Sequence, residues 1–187
     1  MAKTTDNVLL HGVSGTFGGQ IVFRQRMGQS IMCKPPKKSD IPPTPLQSAV
    51  RERFQMGVQY ARSAKKDPEI YAAYRAAAKN GQSAYNVALA DCFNAPEIRE
   101  IDTKAYAGKA GDKIRIRATD DFLVKSVQVY VLSPDGTVLE EGAAAANGNG
   151  LDWYFSAKKA NPQLNGSSIR AEAADLAGNV TLQEITL

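Results

Sequence analysis

Short runs of alternating apolar and polar residues dominate the chain from residue 97 to residue 187. The apolar positions of these runs are Ile114, Ile116 and Ala118; Val127, Val129 and Val131; Trp153 and Phe155; and Ile169, Ala171 and Ala173. Successive side chains of a β-strand point to opposite faces of a sheet, so each run predicts a strand with one buried face. The pattern therefore predicts sheets in this part of the chain.

Turn signals separate these runs at intervals of about ten residues. Residues 133–136, with the sequence Ser-Pro-Asp-Gly, place proline at the second turn position and a glycine that tolerates positive φ. Residues 147–150, 165–166 and 177–179 carry further Asn and Gly turn signals. Many short strands at this spacing predict an antiparallel β-sandwich or barrel.

Several pieces of this segment also match a known pattern. They are residues 117–122, 127–129, Trp153 and the D-x-A-G-N motif within 173–179. Together they resemble bacterial immunoglobulin-like or fibronectin-type-III-like domains. The resemblance implies an immunoglobulin-like antiparallel β-sandwich with a tight turn before its last strand, in which Asp175 accepts from turn amides and Gly178 and Asn179 complete the turn. The paired cysteines of antibody-type domains are missing, so recognition loops cannot be transferred.

Strand-end carboxylates raise the question of a metal site. Asp120, Asp121 and Asp175 follow predicted strands, and carboxylates at such positions sometimes bind calcium. No D-x-D-x-D spacing accompanies them. We therefore predict no metal ligands and no cofactor.

The chain carries no recognisable catalytic set. His11 is the only histidine, and Cys33 has only basic neighbours, so a nucleophile would lack a base. Cys33 and Cys92 lie in separate segments, outside any paired motif. Glu140 and Glu141 are adjacent on a predicted exposed strand end, where their side chains would point to opposite faces. We therefore predict that the protein is not an enzyme.

Residues 12–38 predict a β-hairpin. Glycines at 12, 15, 18 and 19 precede two strand-like runs, 20–26 and 29–34, which a Met-Gly turn joins. The glycines do not form a phosphate-binding loop, since no Gly-Lys-Ser/Thr follows and the next element is a strand. An isolated hairpin is marginally stable in water, so its apolar residues need a covering surface. We expect helices of the same chain or a neighbouring subunit to supply it.

The hairpin region also carries a basic stripe: Arg24, Arg26, Lys34, Lys37 and Lys38. Residues 1–100 contain 14 Lys or Arg against 8 Asp or Glu, a net charge of +6, whereas residues 101–187 contain 9 against 11, a net charge of −2. Such a stripe fits a polyanion, with affinity that falls as salt rises, or the acidic part of a second copy. Only Phe23 lies nearby to stack on bases, which favours a protein contact.

Five prolines between residues 35 and 45 predict a stiff, extended linker. Thr44, Pro45 and Gln47 then predict a helix start with a capping box. Helical spacing of apolar residues and later start and stop signals predict two to three helices up to residue 96. We therefore expect an α+β chain of three parts: a glycine-rich arm, hairpin and linker over 1–43, a helical region over 44–96, and the immunoglobulin-like sandwich over 97–187.

A second resemblance spans most of the chain. It consists of Gly15, Gly18, Val22, Gly28, Ile31 and Pro35, followed by Gln47, Arg51, Arg53 and Phe54. This spacing is similar to that of uncharacterised Bacteroidota and phage-associated proteins with a glycine-rich N-terminal hairpin, a short helical region and a C-terminal immunoglobulin-like domain. The resemblance implies a virion or filament component and no activity.

We therefore expect a non-enzymatic structural subunit that self-associates or docks on a larger particle. The expected contacts are the basic stripe with Val22, Phe23 and Ile31. The alternative is a nucleic-acid or polyanion-binding protein that uses the same hairpin. Residues 1–6 are polar and no long apolar run follows, so we expect no signal peptide, no membrane span and synthesis in the cytoplasm, with the virion as a further location.

Overall fold

A computed structural model describes residues 2–4, 8–26, 28–37, 40–79 and 81–187 of the chain, for residues 2–4 the backbone alone. These residues form three α-helices and twelve β-strands in three antiparallel sheets. The α+β class is therefore confirmed. The chain divides into two compact units, Met1–Arg51 and Glu52–Leu187. The three-part division of the chain stays a prediction.

The first unit contains a four-stranded sheet in the order β1-β4-β3-β2. Its strands are β1 (Ala2–Thr4), β2 (Gly15–Phe17), β3 (Ile21–Arg26) and β4 (Gln29–Cys33). The predicted hairpin is present as β3 and β4, but two three-residue strands extend it on both sides. Gly18 and Gly19, with φ of 55° and 66°, form the tight turn between β2 and β3.

The first helix, α1 (Pro45–Ala64), begins at the predicted capping box. The Thr44 backbone N–H donates to Gln47 Oε1 at 3.1 Å, and the Gln47 N–H donates to Thr44 Oγ1 at 3.3 Å. Asp67 caps α2 (Pro68–Ala77), and Ser83 caps α3 (Ala84–Asp91). No helix in the described part of the chain is long and apolar enough to cross a membrane.

The second unit contains two four-stranded sheets. One has the order β5-β6-β10-β9 and the other the order β12-β11-β7-β8. Their bounds are β5 (Glu97–Asp102), β6 (Lys113–Thr119), β7 (Val124–Leu132), β8 (Val138–Ala143), β9 (Ala145–Ala146), β10 (Asp152–Ser156), β11 (Ser168–Asp175) and β12 (Val180–Thr186). The alternating apolar residues are buried as predicted, except Trp153, which is partly buried against the same core. Both sheets contribute to this core, which is consistent with a β-sandwich.

A second core joins the helices to the ends of the sheets. Its centre is Tyr74 of α2, which is fully buried. Phe122 from the β6–β7 loop and Leu176 from the β11–β12 turn pack against this helical cluster. The helices of this unit therefore cover the end of the sheets where these two loops lie, and this arrangement positions the carboxylates discussed below.

Candidate functional site

The predicted contact residues lie on both faces of the N-terminal sheet. In the antiparallel register Val22 pairs with Cys33 and Arg24 pairs with Ile31, so these four side chains share one face. Phe23 pairs with Met32 on the other face. The basic and apolar contact residues are therefore interleaved on the first face, where exposed Arg24 stands beside the half-exposed Val22 and Ile31.

The other positions of the basic stripe extend beyond this face. Arg26 ends β3, and Lys34 and Lys37 follow β4; all three are exposed. Lys38 lies outside the described residues. A cavity of about 210 Å³ has Arg24, Arg26, Ile31 and Cys33 in its lining. Acidic or amphipathic groups therefore have direct access to mixed basic and apolar surface here.

The first unit leaves its large apolar side chains exposed. Val8 is 90% exposed, Phe17 74%, Leu46 81% and Val50 68%. Among the described side chains of residues 8–51, only Ser30 is buried. Removing one such apolar side chain from water contributes about 1.5–3 kcal/mol. A partner that covers this unit would therefore gain substantial free energy.

The predicted apolar face of α1 is divided along the helix. Leu46 and Val50 are one helical turn apart and both exposed, whereas Ala61, toward the other end, is 1% exposed. A glycine explains the close packing of the second part, since a Cβ at Gly57 would lie 2.8 Å from Phe93 Cζ. The apolar face that the sequence predicts is therefore exposed in the first turns of the helix and buried toward its other end.

The sheet of the first unit also has two open edges. Its outer strands, β1 and β2, are three residues long. An edge strand presents unpaired backbone N–H and C=O groups to which another chain can add a strand. Short edge strands limit such pairing, so side-chain contacts with a partner carry more of the expected affinity.

The turn assigned from the D-x-A-G-N motif connects β11 and β12. Asp175 Oδ1 accepts from the backbone N–H of Asn179 at 2.7 Å, and Gly178 has φ of 91°. The Asn179 side chain donates to Asp175 Oδ2 at 2.6 Å, and also to the carbonyl oxygens of Asp91 at 3.0 Å and Asn94 at 3.3 Å. The turn is thus fastened to the end of α3, a contact that the sequence did not predict.

The described residues show no hydrogen bond that joins two of the residues considered for catalysis. His11 is exposed in a turn, and Cys33 and Cys92 are free thiols in different units. Glu140 is buried, which corrects the prediction of an exposed strand end. Its carboxylate accepts from the backbone N–H groups of Lys158 at 2.7 Å and Lys159 at 3.1 Å, so the buried charge is satisfied.

No protein-family model and no curated protein matches the sequence. Among solved structures, the chain is similar to CopC from Methylosinus trichosporium OB3b, with 11% identity and a TM-score of 0.36, over 48% of this chain and 87% of that one. It is also similar to an engineered protein, with 19% identity and a TM-score of 0.34, over 58% of this chain and 30% of that one. Neither similarity indicates a function for this chain.

Proposed function

We propose that this protein is a non-enzymatic assembly subunit whose copies associate through the first unit. The observation that carries the proposal is the exposure of Val8, Phe17, Leu46 and Val50 in a unit with only one buried residue among its described side chains. A surface of this composition is typical of an interface between proteins, because large apolar side chains gain most from burial. The occupant that we propose is a second copy of the chain.

Charge supports association between copies. The front of the chain is basic, with a net +6 over residues 1–100, and residues 101–187 carry a net −2. Opposite charges on two parts of one chain favour a contact in which residues 1–100 of one copy meet residues 101–187 of the next. Such a heterologous contact builds rings or filaments. The particle that we propose is a virion or a filament, the class that the N-terminal spacing resembles.

We further propose that the two sheets of the second unit are an immunoglobulin-like sandwich displayed on this assembly. Two features support it. Two four-stranded antiparallel sheets share one core, and the motif residues Asp175, Gly178 and Asn179 lie in the turn before the last strand.

A polyanion-binding function is the second candidate. Arg24, Arg26, Lys34 and Lys37 are exposed, and no ion pair among the described residues includes them. Unpaired basic side chains on a sheet face and the segment after it are available to phosphates. This function would use the same face as the proposed assembly contact, and salt dependence separates the two.

Matched pairs of substitutions test the assembly proposal. The double variant Leu46→Ser/Val50→Ser removes two exposed apolar side chains from the first unit. The control, Val180→Ser/Leu182→Ser, removes the same two residue types from β12, where they are 47% and 61% exposed. We expect the first variant to lower the mass measured by light scattering and the control to leave it at the parent value. Equal masses for all three proteins would contradict the proposed interface.

A further inference from the structure

Three carboxylates from distant parts of the chain meet at the helix-covered end of the sheets. Asp91 is the last residue of α3, Asp120 follows β6, and Asp175 is the last residue of β11. One carboxylate oxygen from each lies within 4.8 Å of the other two. Asp91 is 2% exposed and Asp175 is 1% exposed, so two of the three charges are almost fully removed from water.

Two oxygens of this cluster have no hydrogen-bond partner. Asp91 Oδ2 accepts from the Tyr74 hydroxyl at 2.5 Å, but Asp91 Oδ1 is buried without a donor. Asp120 Oδ2 accepts from the backbone N–H groups of Phe122 at 3.2 Å and Leu123 at 2.9 Å, whereas Asp120 Oδ1 is likewise buried without one. A buried carboxylate oxygen without a donor is costly, so each one needs an explanation.

No ion pair in the described part of the chain neutralises the cluster. Among the described residues, the ion pairs involve other carboxylates, and none includes Asp91, Asp120 or Asp175. Like charges at this separation repel strongly in a buried site. Either a proton or a cation must therefore stabilise the cluster. Burial raises the pKa of Asp91 to about 6, and the charge of Asp175 adds to the effect.

We propose that Asp91, Asp120 and Asp175 bind one calcium ion. The donor atoms are all carboxylate oxygens, which hard cations prefer, and no sulfur or imidazole nitrogen belongs to the cluster. Three carboxylates from a helix end, a loop and a strand end suit the irregular coordination that Ca²⁺ accepts better than the strict octahedron that Mg²⁺ requires. The two oxygens without donors are the atoms that such an ion would satisfy.

The neighbouring side chains support the ligands. Tyr60 and Tyr74 are linked through their hydroxyls at 2.6 Å, and Tyr74 fixes the orientation of Asp91. Asn179 holds both oxygens of Asp175. Outer partners of this kind orient metal ligands in many sites. Asp121, which the sequence analysis grouped with Asp120, accepts from Asn94 at 2.7 Å instead and lies outside the cluster.

The position of the site indicates its role. The ligands belong to the end of α3, the β6–β7 loop and the end of β11, all within the second unit. One ion bound to all three carboxylates would hold the helical cluster against the end of the sheets. Calcium would then stabilise the folded second unit by mass action, whether or not the first unit mediates assembly.

Binding to the full chain tests the proposal directly. After treatment with a chelator, we expect isothermal titration with Ca²⁺ to give one site per chain and thermal unfolding to shift upward with added Ca²⁺. Terbium, which replaces Ca²⁺ and emits when tyrosines nearby are excited, should bind at the same site and be displaced by Ca²⁺. The absence of both binding heat and a thermal shift with Ca²⁺ would overturn the proposal. A response to Mg²⁺ alone would also overturn it.

Neighbouring variants locate the ion. We expect Asp120→Asn to weaken Ca²⁺ binding at least about tenfold, since loss of an outer partner alone weakens many metal sites about 10–100-fold. The control Asp121→Asn removes an adjacent carboxylate outside the cluster and should retain the site. Equal binding by both variants would overturn the assignment. The calcium assignment would also be overturned if Ca²⁺ left the unfolding of the parent unchanged and Asp120→Asn stabilised the protein. In that case Asp91 Oδ1 and Asp120 Oδ1 would share a proton.

Discussion

The two units of this chain both contain four-stranded antiparallel sheets, yet they place their apolar residues differently. In the second unit Ile114, Ile116 and Val129 are fully buried, whereas in the first unit Phe17 is 74% exposed and Val22 and Ile31 are only partly covered. A sheet needs a second layer to bury its apolar face. The second unit supplies that layer from its own chain, and we expect a neighbouring copy to supply it for the first.

Substitution of one isoleucine in each unit tests this difference, and we expect it to give the largest change in the free energy of unfolding. Ile116→Ala should lower the free energy of unfolding by about 2–5 kcal/mol, because it removes buried methylene and methyl groups from a packed core. Ile31→Ala, in β4 of the first unit, should cost less than about 1 kcal/mol for the dissociated chain. Urea denaturation at low protein concentration gives both values. Similar costs would mean that the first unit has a core of its own.

The buried part of α1 tests how closely the helices of the second unit pack. A Cβ at Gly57 would lie 2.8 Å from Phe93 Cζ and 3.0 Å from Leu89 Cδ1. Overpacking of this kind costs about 1–3 kcal/mol, which exceeds the gain of up to about 1 kcal/mol from better helix propensity. We expect Gly57→Ala to lower the melting temperature. The exposed control Gln59→Ala should not lower it, and stabilisation by Gly57→Ala would show that the helices move apart easily.

The β11–β12 turn tests how firmly the helices hold the sheets. Asn179→Ala removes the side-chain donor to the carbonyl oxygens of Asp91 and Asn94. Loss of hydrogen bonds to half-buried acceptors costs about 1–3 kcal/mol. We expect faster amide hydrogen exchange in α3 of this variant and unchanged exchange in β3 and β4. Unchanged exchange in α3 would contradict this link.

The smallest expected effect is a dependence on pH. Asp152 accepts from Arg117 at 2.8 Å and 3.1 Å and from Asn149 at 2.8 Å, and these donors lower its pKa to about 2. A carboxylate with a lowered folded-state pKa stabilises the protein above its unfolded pKa of about 3.9, and this contribution disappears as the pH falls toward 2.

The variant Asp152→Asn removes this titration. Between about pH 4 and pH 2 we expect the parent to lose more stability in urea denaturation than the variant does. Parallel stability curves for the two proteins over this interval would contradict the assigned cause. The second unit alone contains this ion pair, so the mass of the assembly should respond to the substitution less than the unfolding curve does.

Local patterns predicted the elements whose signals are local. Alternation identified β6, β7, β10 and β11, and the Thr44 and Gln47 capping box identified the start of α1. The three-residue strands β1 and β2 are too short for a period to appear, so the four-stranded sheet was predicted as a hairpin. Exposure of the first turns of α1 was also missed, since an apolar stripe does not reveal which protein covers it.

The carboxylate cluster was missed for a different reason. Strand-end position drew attention to Asp120, Asp121 and Asp175, but Asp91 lies 29 residues before Asp120 at the end of a helix. Only the packing of α3 against the two loops brings the third carboxylate within 4.8 Å of the others. Motif spacing describes metal sites within one loop, and it does not describe ligands that tertiary packing assembles.

Whether the first unit joins copies of this chain is decided by the mass of the unmodified chain in solution. Light scattering should be recorded over a range of protein concentrations, at low and high salt, after removal of nucleic acid. We predict a mass well above that of one 20.1 kDa chain, rising with concentration and persisting at high salt because apolar burial dominates the contact. A monomer under all conditions, with nucleic acid bound only at low salt, would contradict the claim and favour the polyanion-binding function.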